Sequence, residues 1–544
     1  MSASFVVWGV WGVLTIAGLA FVGIYGRDCP LMDEWGMLAV LAGDTDAADW
    51  VLSPHHEHRY PVPRLLFITL FRAVGDLRLA MVTNVILLAA TAARLIRVAR
   101  QVRGRTSLAD VFFPLAFLHA GHWENVLMGY QLCFTLTTWW GAGLVCLACR
   151  QDDWGWGRIG LSIGASVLLA GCGAAGLFFS ATGAIWLIVL GRALLRHGYP
   201  WRASVAGAGV AVVVTLLGLV AATYPGSPLL PTRRPIDLAW FSARVIGMSF
   251  GPSTHWLWPV ETLAVVCAWL LGMVAAIKRG SLQSAGLGAV LMGTAALVAG
   301  LTWGRGWGGT DMAAGRYAML FLPGMAAAFL MAATYGGRWA QRGIPAVFAV
   351  LATIAWPFNL IEGLKPSTRI SQQVDALTVD LREGFPAQLI GERYDWQLFM
   401  NHAEIAHDFD TATRIGFTPF RNRARTRPVC GSTLMQPAPG TLRFGLNAPP
   451  GTIAIRVRGE FVAKQTRMAD YRVRWQETGS AQWHQDRFQV VKNRSASVLI
   501  HVHGAPTEIE ILPDREPDEY RVLSLELVTS DPPAESPGES AASH

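Results

Sequence analysis

Charge is scarce in this sequence. Asp, Glu, Lys and Arg make up 15% of its 544 residues, against about 25% in an ordinary soluble domain. The shortage is uneven: long stretches before residue 360 carry no charge, and the remainder is studded with Arg, Asp and Glu. A soluble fold cannot bury many runs of 18 or more apolar residues, whereas a bilayer can, so a purely soluble protein is excluded. Lysine is nearly absent too, since 41 of the 45 basic residues are Arg. With a net charge of only +7, that bias reads as codon usage rather than as the basic footprint of a nucleic-acid binder, and no nucleic-acid partner is expected. The first apolar run, residues 5–23, lacks the basic start and the small-x-small site of a cleaved signal peptide. It is read as a retained first span.

What the sequence does have is hydrophobic segments and indoles. Its mean hydropathy is +0.34, and its 22 Trp suit interfacial anchoring. Candidate spans fall near 5–24, 77–98, 107–120, 131–149, 159–172, 174–191, 203–224, 257–277, 283–303, 317–335 and 343–360. Residues 159–191 are uncharged; as one helix they would be about 50 Å long, so the Gly171-Cys172-Gly173 break is taken to split them. Residues 107–149 likewise read as two spans turning around 119–131. Arg94, Arg97, Arg100, Arg103 and Arg105 crowd one connection. Arg150 with Arg158, then Arg192, Arg196 and Arg202, then Lys278 with Arg279, then Arg338 with Arg342 mark every second loop after it. Short basic loops are cytoplasmic, which puts the N-terminus inside and everything after residue 360 outside. Both split hairpins are needed for all five basic loops to share one side.

The outward loops are then 26–62, 120–131, 225–256 and 304–316, and they hold most of the unusual polar residues. The first contains Arg27-Asp28-Cys29-Pro30 and then Asp33-Glu34-Trp35. Twenty residues later comes His55-His56-Glu57-His58-Arg59-Tyr60, followed by Pro63-Arg64. A carboxylate at the membrane surface is placed to deprotonate an acceptor hydroxyl. Arg and His can hold a phosphate, Arg through two parallel donors. Other readings stay open. The acidic pair would also cap a short helix at 33–42, His-x-His with nearby carboxylates would suit a metal, and His55, Arg59 and Arg64 would serve as headgroup anchors. No ligand spacing fixes a metal, so no cofactor is assigned, and a divalent ion such as Mg or Mn remains open. Arg316 opens a late span, where a snorkelling role is equally open. Arg305 and Asp311 lie in a Gly-rich loop, and Arg233-Arg234 in a Pro-rich one.

These residues resemble a known class. A first span followed by Asp33-Glu34 in a large outward loop, then His56-Glu57-His58-Arg59 before Pro63-Arg64, looks like the GT-C class of bacterial integral-membrane glycosyltransferases. So do Trp123-Glu124-Asn125 with Gln131, and Gly315-Arg316-Tyr317. The resemblance covers residues 1–360 and implies an inverting transferase that takes a sugar from a polyprenyl-phosphate donor to a glycan or lipid acceptor of the cell envelope. It implies Asp33 as general base, with Glu34 as its acidic neighbour. His56, Glu57, His58, Arg59, Arg64, Glu124, Gln131 and Arg316 are then the candidates for donor-phosphate and substrate binding. The implied location is the bacterial inner membrane, multi-pass, with a cytoplasmic N-terminus and a periplasmic C-terminal domain.

The expected architecture is a mainly α, polytopic, GT-C-like bundle of about eleven spans (1–362), a helical connector (363–427), an antiparallel β-sandwich of jelly-roll type (428–530) and a disordered tail (531–544). The connector is read from amphipathic stretches at 368–383 and 395–410. The sandwich is read from short β-branched runs at 452–458, 471–475, 487–491, 497–502, 508–512 and 521–527. Such a module could bind the growing glycan or merely pack on the outer loops. Only Cys29 and Cys430 would face the oxidising side, where a bond between them would tie the first loop to the C-terminal domain. Two other classes compete with the transferase. A flippase of lipid-linked glycans predicts ionisable residues within the spans, and these are nearly charge-free. A non-catalytic envelope-assembly protein would tolerate loss of Asp33.

Overall fold

The computed structural model describes all residues except 1, 56–57, 151–153, 224–233, 253–255, 306–313, 399–404, 425–428, 436–441, 447, 450, 462–467, 479–481, 492–494, 503–504, 514–519 and 531–544. The chain forms two compact units. One joins Met1–Asp28 to Ala39–Ser371, and the other joins Cys29–Leu38 to Gln372–His544.

In the first unit, α1 (Ala3–Tyr25) is followed by the short α2 (Leu38–Ala42) and α3 (Ala47–Leu52), then α4 (Pro61–Val74) and the long α5 (Arg78–Arg103). Two short pieces, α6 (Phe112–Phe117) and α7 (Trp123–Leu127), lead to α8 (Leu132–Ala148). Next come α9 (Trp156–Ala170), α10 (Ala174–Arg196), α11 (Pro200–Ala222), α12 (Pro235–Gly247), α13 (Trp258–Arg279), α14 (Leu282–Arg305), α15 (Leu322–Tyr335) and α16 (Arg338–Arg382). Nine described segments are long and apolar enough to cross a bilayer: α1, α5, α10, α11, α13, α14, α16, and α8 and α15 with their leading 3-10 turns. The protein is a multi-pass membrane protein with a helical bundle.

Two of the eleven expected spans are not among these nine. α9 has 15 residues, about 22 Å of helix against a hydrocarbon core of about 30 Å. The expected span at 107–120 contains only the six-residue α6 between 3-10 turns. Its path nevertheless runs back along the length of α5. Asp110 pairs with Arg103 at the end of α5, and the Met128 carbonyl accepts from Asn84 Nδ2 near its start, at 3.4 Å. Residues 84 to 103 of a helix cover about 28 Å, so the chain returns along α5 in short pieces. Irregular backbone at membrane depth is tolerated where protein encloses it, and Gly121, His122, Asn125 and Leu127 are buried.

Helix contacts in this unit rest on small residues. On α14, Gly286, Gly293 and Gly300 recur every seventh position and meet Trp186, Thr182 and Phe178 of α10. A Cβ on Gly293 would stand 1.9 Å from Thr182 Oγ1, and one on Gly300 would stand 2.4 Å from Phe178 Cζ. Lipid offers Leu side chains nothing that a neighbouring helix does not, so close backbone approach drives association here.

α16 runs unbroken for 45 residues, joining the apolar segment expected at 343–360 to the amphipathic one expected at 368–383. In the second unit, its end is followed by α17 (Ala387–Leu398), α18 (Ile405–Ile415) and eight strands: β1 (Val429–Met435), β2 (Arg443–Gly445), β3 (Thr452–Phe461), β4 (Met468–Glu477), β5 (Trp483–Val491), β6 (Ser495–His501), β7 (Pro506–Pro513) and β8 (Tyr520–Ser530). They make two antiparallel four-stranded sheets, ordered β1-β8-β3-β6 and β2-β7-β4-β5. Ile455, Val457, Ile500, Leu525 and Leu527 of the first sheet share a core with Phe444, Val473, Trp475, Ile509 and Ile511 of the second, as alternation in a sandwich requires.

The outer face of the first sheet is held to the helices by ion pairs. Arg456 on β3 donates to both Glu392 oxygens on α17, at 2.6 and 2.7 Å, and to Glu526 on β8 at 2.5 Å. Asp380 at the end of α16 accepts from Tyr394 Oη at 2.8 Å and Arg393 at 3.0 Å, and lies 2.7 Å from His501 Nδ1 on β6. Glu526 is held below the usual carboxylate range by a Ser432 hydroxyl bond, reinforced by Arg456. A depressed carboxyl stabilises the fold above its unfolded pKa and loses that contribution as pH falls through the folded value. Arg456→Met is therefore expected to weaken this unit by about 2 kcal/mol at pH 7. The deficit should shrink below about pH 4, where free carboxylates protonate. Pulse proteolysis of the full chain across pH reads it, and equal resistance of variant and wild type at pH 7 would refute the clasp.

Candidate functional site

The carboxylates Asp33 and Glu34 fall in the second unit, within a 3-10 turn at Met32–Met37. Met32 has φ 48, the only left-handed residue other than glycine among the described residues. Such a backbone costs on the order of 1–3 kcal/mol and persists only where neighbours over-determine it. Here they do. Glu34 Oε2 accepts the Leu31 N–H at 3.0 Å, and the Glu34 N–H returns to the Leu31 carbonyl at 3.0 Å. Trp35 packs its indole 6.0 Å from each of the Phe409 and Phe420 rings. Glu34 and Trp35 are 1% and 8% exposed, while Asp33 between them and the strained Met32 is half-buried. The two acids thus have different situations: Glu34 holds the turn from inside, and Asp33 keeps access to the surface.

The remaining candidates belong to the first unit. His55 and His58 exchange backbone bonds of 2.7 and 2.9 Å; His56 and Glu57 lie outside the described residues. The His58 ring sits 5.8 Å from Tyr60, Tyr60 sits 5.8 Å from Tyr130, and Tyr130 sits 5.2 Å from His55. Gly173 (φ +92) is required beneath this cluster, because a Cβ there would stand 2.1 Å from the Tyr60 ring. Arg59 donates to the Leu52 carbonyl at 2.5 Å. Arg64 is 3% exposed. Its NH1 donates to the Trp50 and Ser53 carbonyls at 2.6 and 2.7 Å, and its guanidinium lies over the Trp50 ring. These contacts make Arg64 a brace between α3 and α4 rather than a headgroup anchor.

Glu124 and Arg316, nearly 200 residues apart in sequence, form an ion pair of 2.5 Å. Asn125 Nδ2 donates to the Arg316 carbonyl at 3.0 Å, so the 119–131 turn and the start of the late span are brought together as one site. Around it, Asn125 Oδ1, Gln131 Oε1, His119 Nδ1 and His122 Nδ1 are buried and make no hydrogen bond among the described residues. The His119 and His122 rings stack 4.0 Å apart. Buried polar atoms are normally paired, and clusters of unpaired ones mark functional sites. Among the described residues no three His, Cys, Asp or Glu side chains gather as a metal site requires.

Arg234 pairs with Asp237 in the first turn of α12, while Arg233, Asp311 and the Cys430 side chain lie outside the described residues. Sequence reading gave Tyr130 and the His119–His122 stack no role; the spacing of His119 and His122 was the available signal. Nothing in the sequence indicated the left-handed Met32.

No family model and no curated protein matches the chain. Among solved structures it is similar to ArnT from Cupriavidus metallidurans in the apo state, with a TM-score of 0.40, 13% identity, and coverage of 76% of this chain and 84% of that one. It is also similar to the Archaeoglobus fulgidus oligosaccharyltransferase in complex with Zn and sulfate, with a TM-score of 0.37, 14% identity, and coverage of 73% of this chain and 58% of that one. These are likenesses of fold alone, and nothing about donor, acceptor or mechanism follows from them.

Proposed function

We propose that the protein is a membrane glycosyltransferase that moves a sugar from a polyprenyl-phosphate donor to a cell-envelope glycan or lipid on the outer face of a bacterial inner membrane. The observation that carries this reading is the Met32–Glu34 turn: a strained backbone, braced by a buried acid, that keeps one carboxylate accessible. Asp33 takes the proton of an acceptor hydroxyl as its oxygen attacks the anomeric carbon. The bond from that carbon to the phosphate oxygen breaks on the opposite side, so configuration inverts and polyprenyl phosphate leaves with the electron pair. A phosphate leaving group needs charge stabilisation more than a proton, and Arg316, Arg59, His56 and His58 are the groups assigned to supply it. The five short basic loops favour the orientation with the Asp33 loop outside.

The test has two arms. Deleting the gene should remove a sugar from the surface glycan, and the purified protein in liposomes, given the envelope glycan and lipid fraction of the deletion strain as acceptor, should convert polyprenyl-phosphate sugar to polyprenyl phosphate and glycosylated acceptor. An unchanged envelope glycan together with an unconsumed donor would reject the transferase reading in favour of an assembly role. Movement of intact donor between leaflets would favour a flippase.

A further inference from the structure

The two faces of the sandwich differ in a way the transferase chemistry does not use. The first sheet presents Arg456 and His501 outward, and both are engaged by the helical elements. The second sheet presents Arg443 on β2, Glu508 and Glu510 on β7, Gln476 and Arg474 on β4, and Trp483 and Gln485 on β5. Alternating with them along the strands, Phe444, Ile509 and Trp475 point into the core.

β2 and β5 are the two edges of that sheet, about 14 Å apart at the usual strand spacing. Yet the Trp483 ring on β5 has the Arg474 guanidinium 4.7 Å from its centroid and the Arg443 guanidinium of the far edge at 5.8 Å. The indole therefore lies across the face of the sheet instead of off its edge. Both guanidiniums are fixed by carboxylates: Arg443 by Glu508 through Nε and NH2, the latter at 3.0 Å, and Arg474 by Glu510. A solvent-exposed pair earns little stability, but it holds planar donors and acceptors in one orientation. Arg443 is 59% exposed and Arg474 37%.

We infer that this face of the sandwich is a binding site for a neutral glycan, with Trp483 as the stacking platform. A pyranose has an apolar face of C–H groups that lies flat on an aromatic ring and a rim of hydroxyls, each both donor and acceptor. The Arg443–Glu508 and Arg474–Glu510 pairs offer matching donors and acceptors while their charges cancel. Within these two pairs the balance suits a polyhydroxyl ligand; Arg472 shares the face two residues along β4, and the salt arms of the experiment separate a polyanion. On the transferase reading, the site gives the acceptor chain a second hold away from the reacting hydroxyl.

The experiment uses the full-length protein in detergent, with the delipidated polysaccharide fraction of the producing cells biotinylated on a sensor surface. Wild type should be retained at 0.15 M and at 0.5 M NaCl alike. Trp483→Ala should reduce retention at least tenfold with the unfolding midpoint unmoved, Trp483→Phe should recover part of it, and Trp201→Ala on α11 should bind as wild type. Equal retention of Trp483→Ala, no retention of wild type, or retention abolished by 0.5 M NaCl as in ion exchange would each overturn the site. Asp33→Asn separates the two ideas: it should bind as wild type. If it both binds and still transfers, the base assignment fails and the glycan site stands.

Discussion

Asp33→Asn is expected to lower the turnover of sugar transfer by about 10³-fold, within the range for loss of a general base, with the KM for the lipid-linked donor changed less than about twofold. The split follows from the turn. Asparagine keeps the size of Asp33, and its neighbours Glu34 and Trp35 fix the backbone independently, so the donor still docks while the acceptor hydroxyl keeps its proton. Glu34→Gln is the informative companion. An amide oxygen can still accept the Leu31 N–H, so turnover should fall far less. Glu34→Ala leaves that buried N–H unpaired and the left-handed Met32 unbraced, and should fail through loss of the turn. Initial rates in proteoliposomes decide the matter. If Asp33→Asn keeps more than a tenth of wild-type turnover, Asp33 is not the base.

Gly293→Val should abolish accumulation of folded protein. A Cβ at this position lies 1.9 Å from Thr182 Oγ1, and Thr182 is itself tied to the Phe178 carbonyl at 3.0 Å in α10, so the neighbour cannot swing away without breaking a helix-internal bond. Overpacking typically costs about 1–3 kcal/mol where side chains can adjust, and a helix seam that must separate along its length loses more. Fluorescence-detected size exclusion of tagged protein should show at least a fivefold loss of the monodisperse peak. Gly293→Ala should show a smaller loss, relieved by Thr182→Ala. Gly207→Ala on α11, where a Cβ meets nothing within 4 Å, is the control and should be neutral. A normal peak for Gly293→Val would mean that α10 and α14 do not pack as described.

How far the sequence could be read followed the physics of each signal. Charge-free length is a bulk property, so the apolar spans and the change of character after residue 360 were visible. The run at 107–128 was read as a crossing only from the parity of the basic loops; its enclosure by α5 and neighbouring elements is a tertiary fact that no periodicity encodes. In the sandwich, the β-branched runs of β3 to β8 stood out. β1 carries Gly431, Ser432 and Thr433 among its seven residues, and β2 has only three, so neither has a strand signature of its own. The site was half legible. Residue type flagged Asp33, Glu34, Glu124 and Arg316, but the Glu124–Arg316 pair joins positions nearly 200 residues apart. The difference between Asp33 and Glu34 depends on a backbone angle at Met32.

The grouping of Cys29–Leu38 with Gln372–His544 also sets a schedule. Residues 33 to 35 leave the ribosome early, but the rings that Trp35 rests on, Phe409 and Phe420, come some 370 residues later. At about 5–20 residues per second, the acidic turn waits on the order of 20 to 80 seconds for its support. Until that last segment is made, a nascent chain has its spans but an unsupported acidic turn, and on the proposed reading a truncated product stays inert.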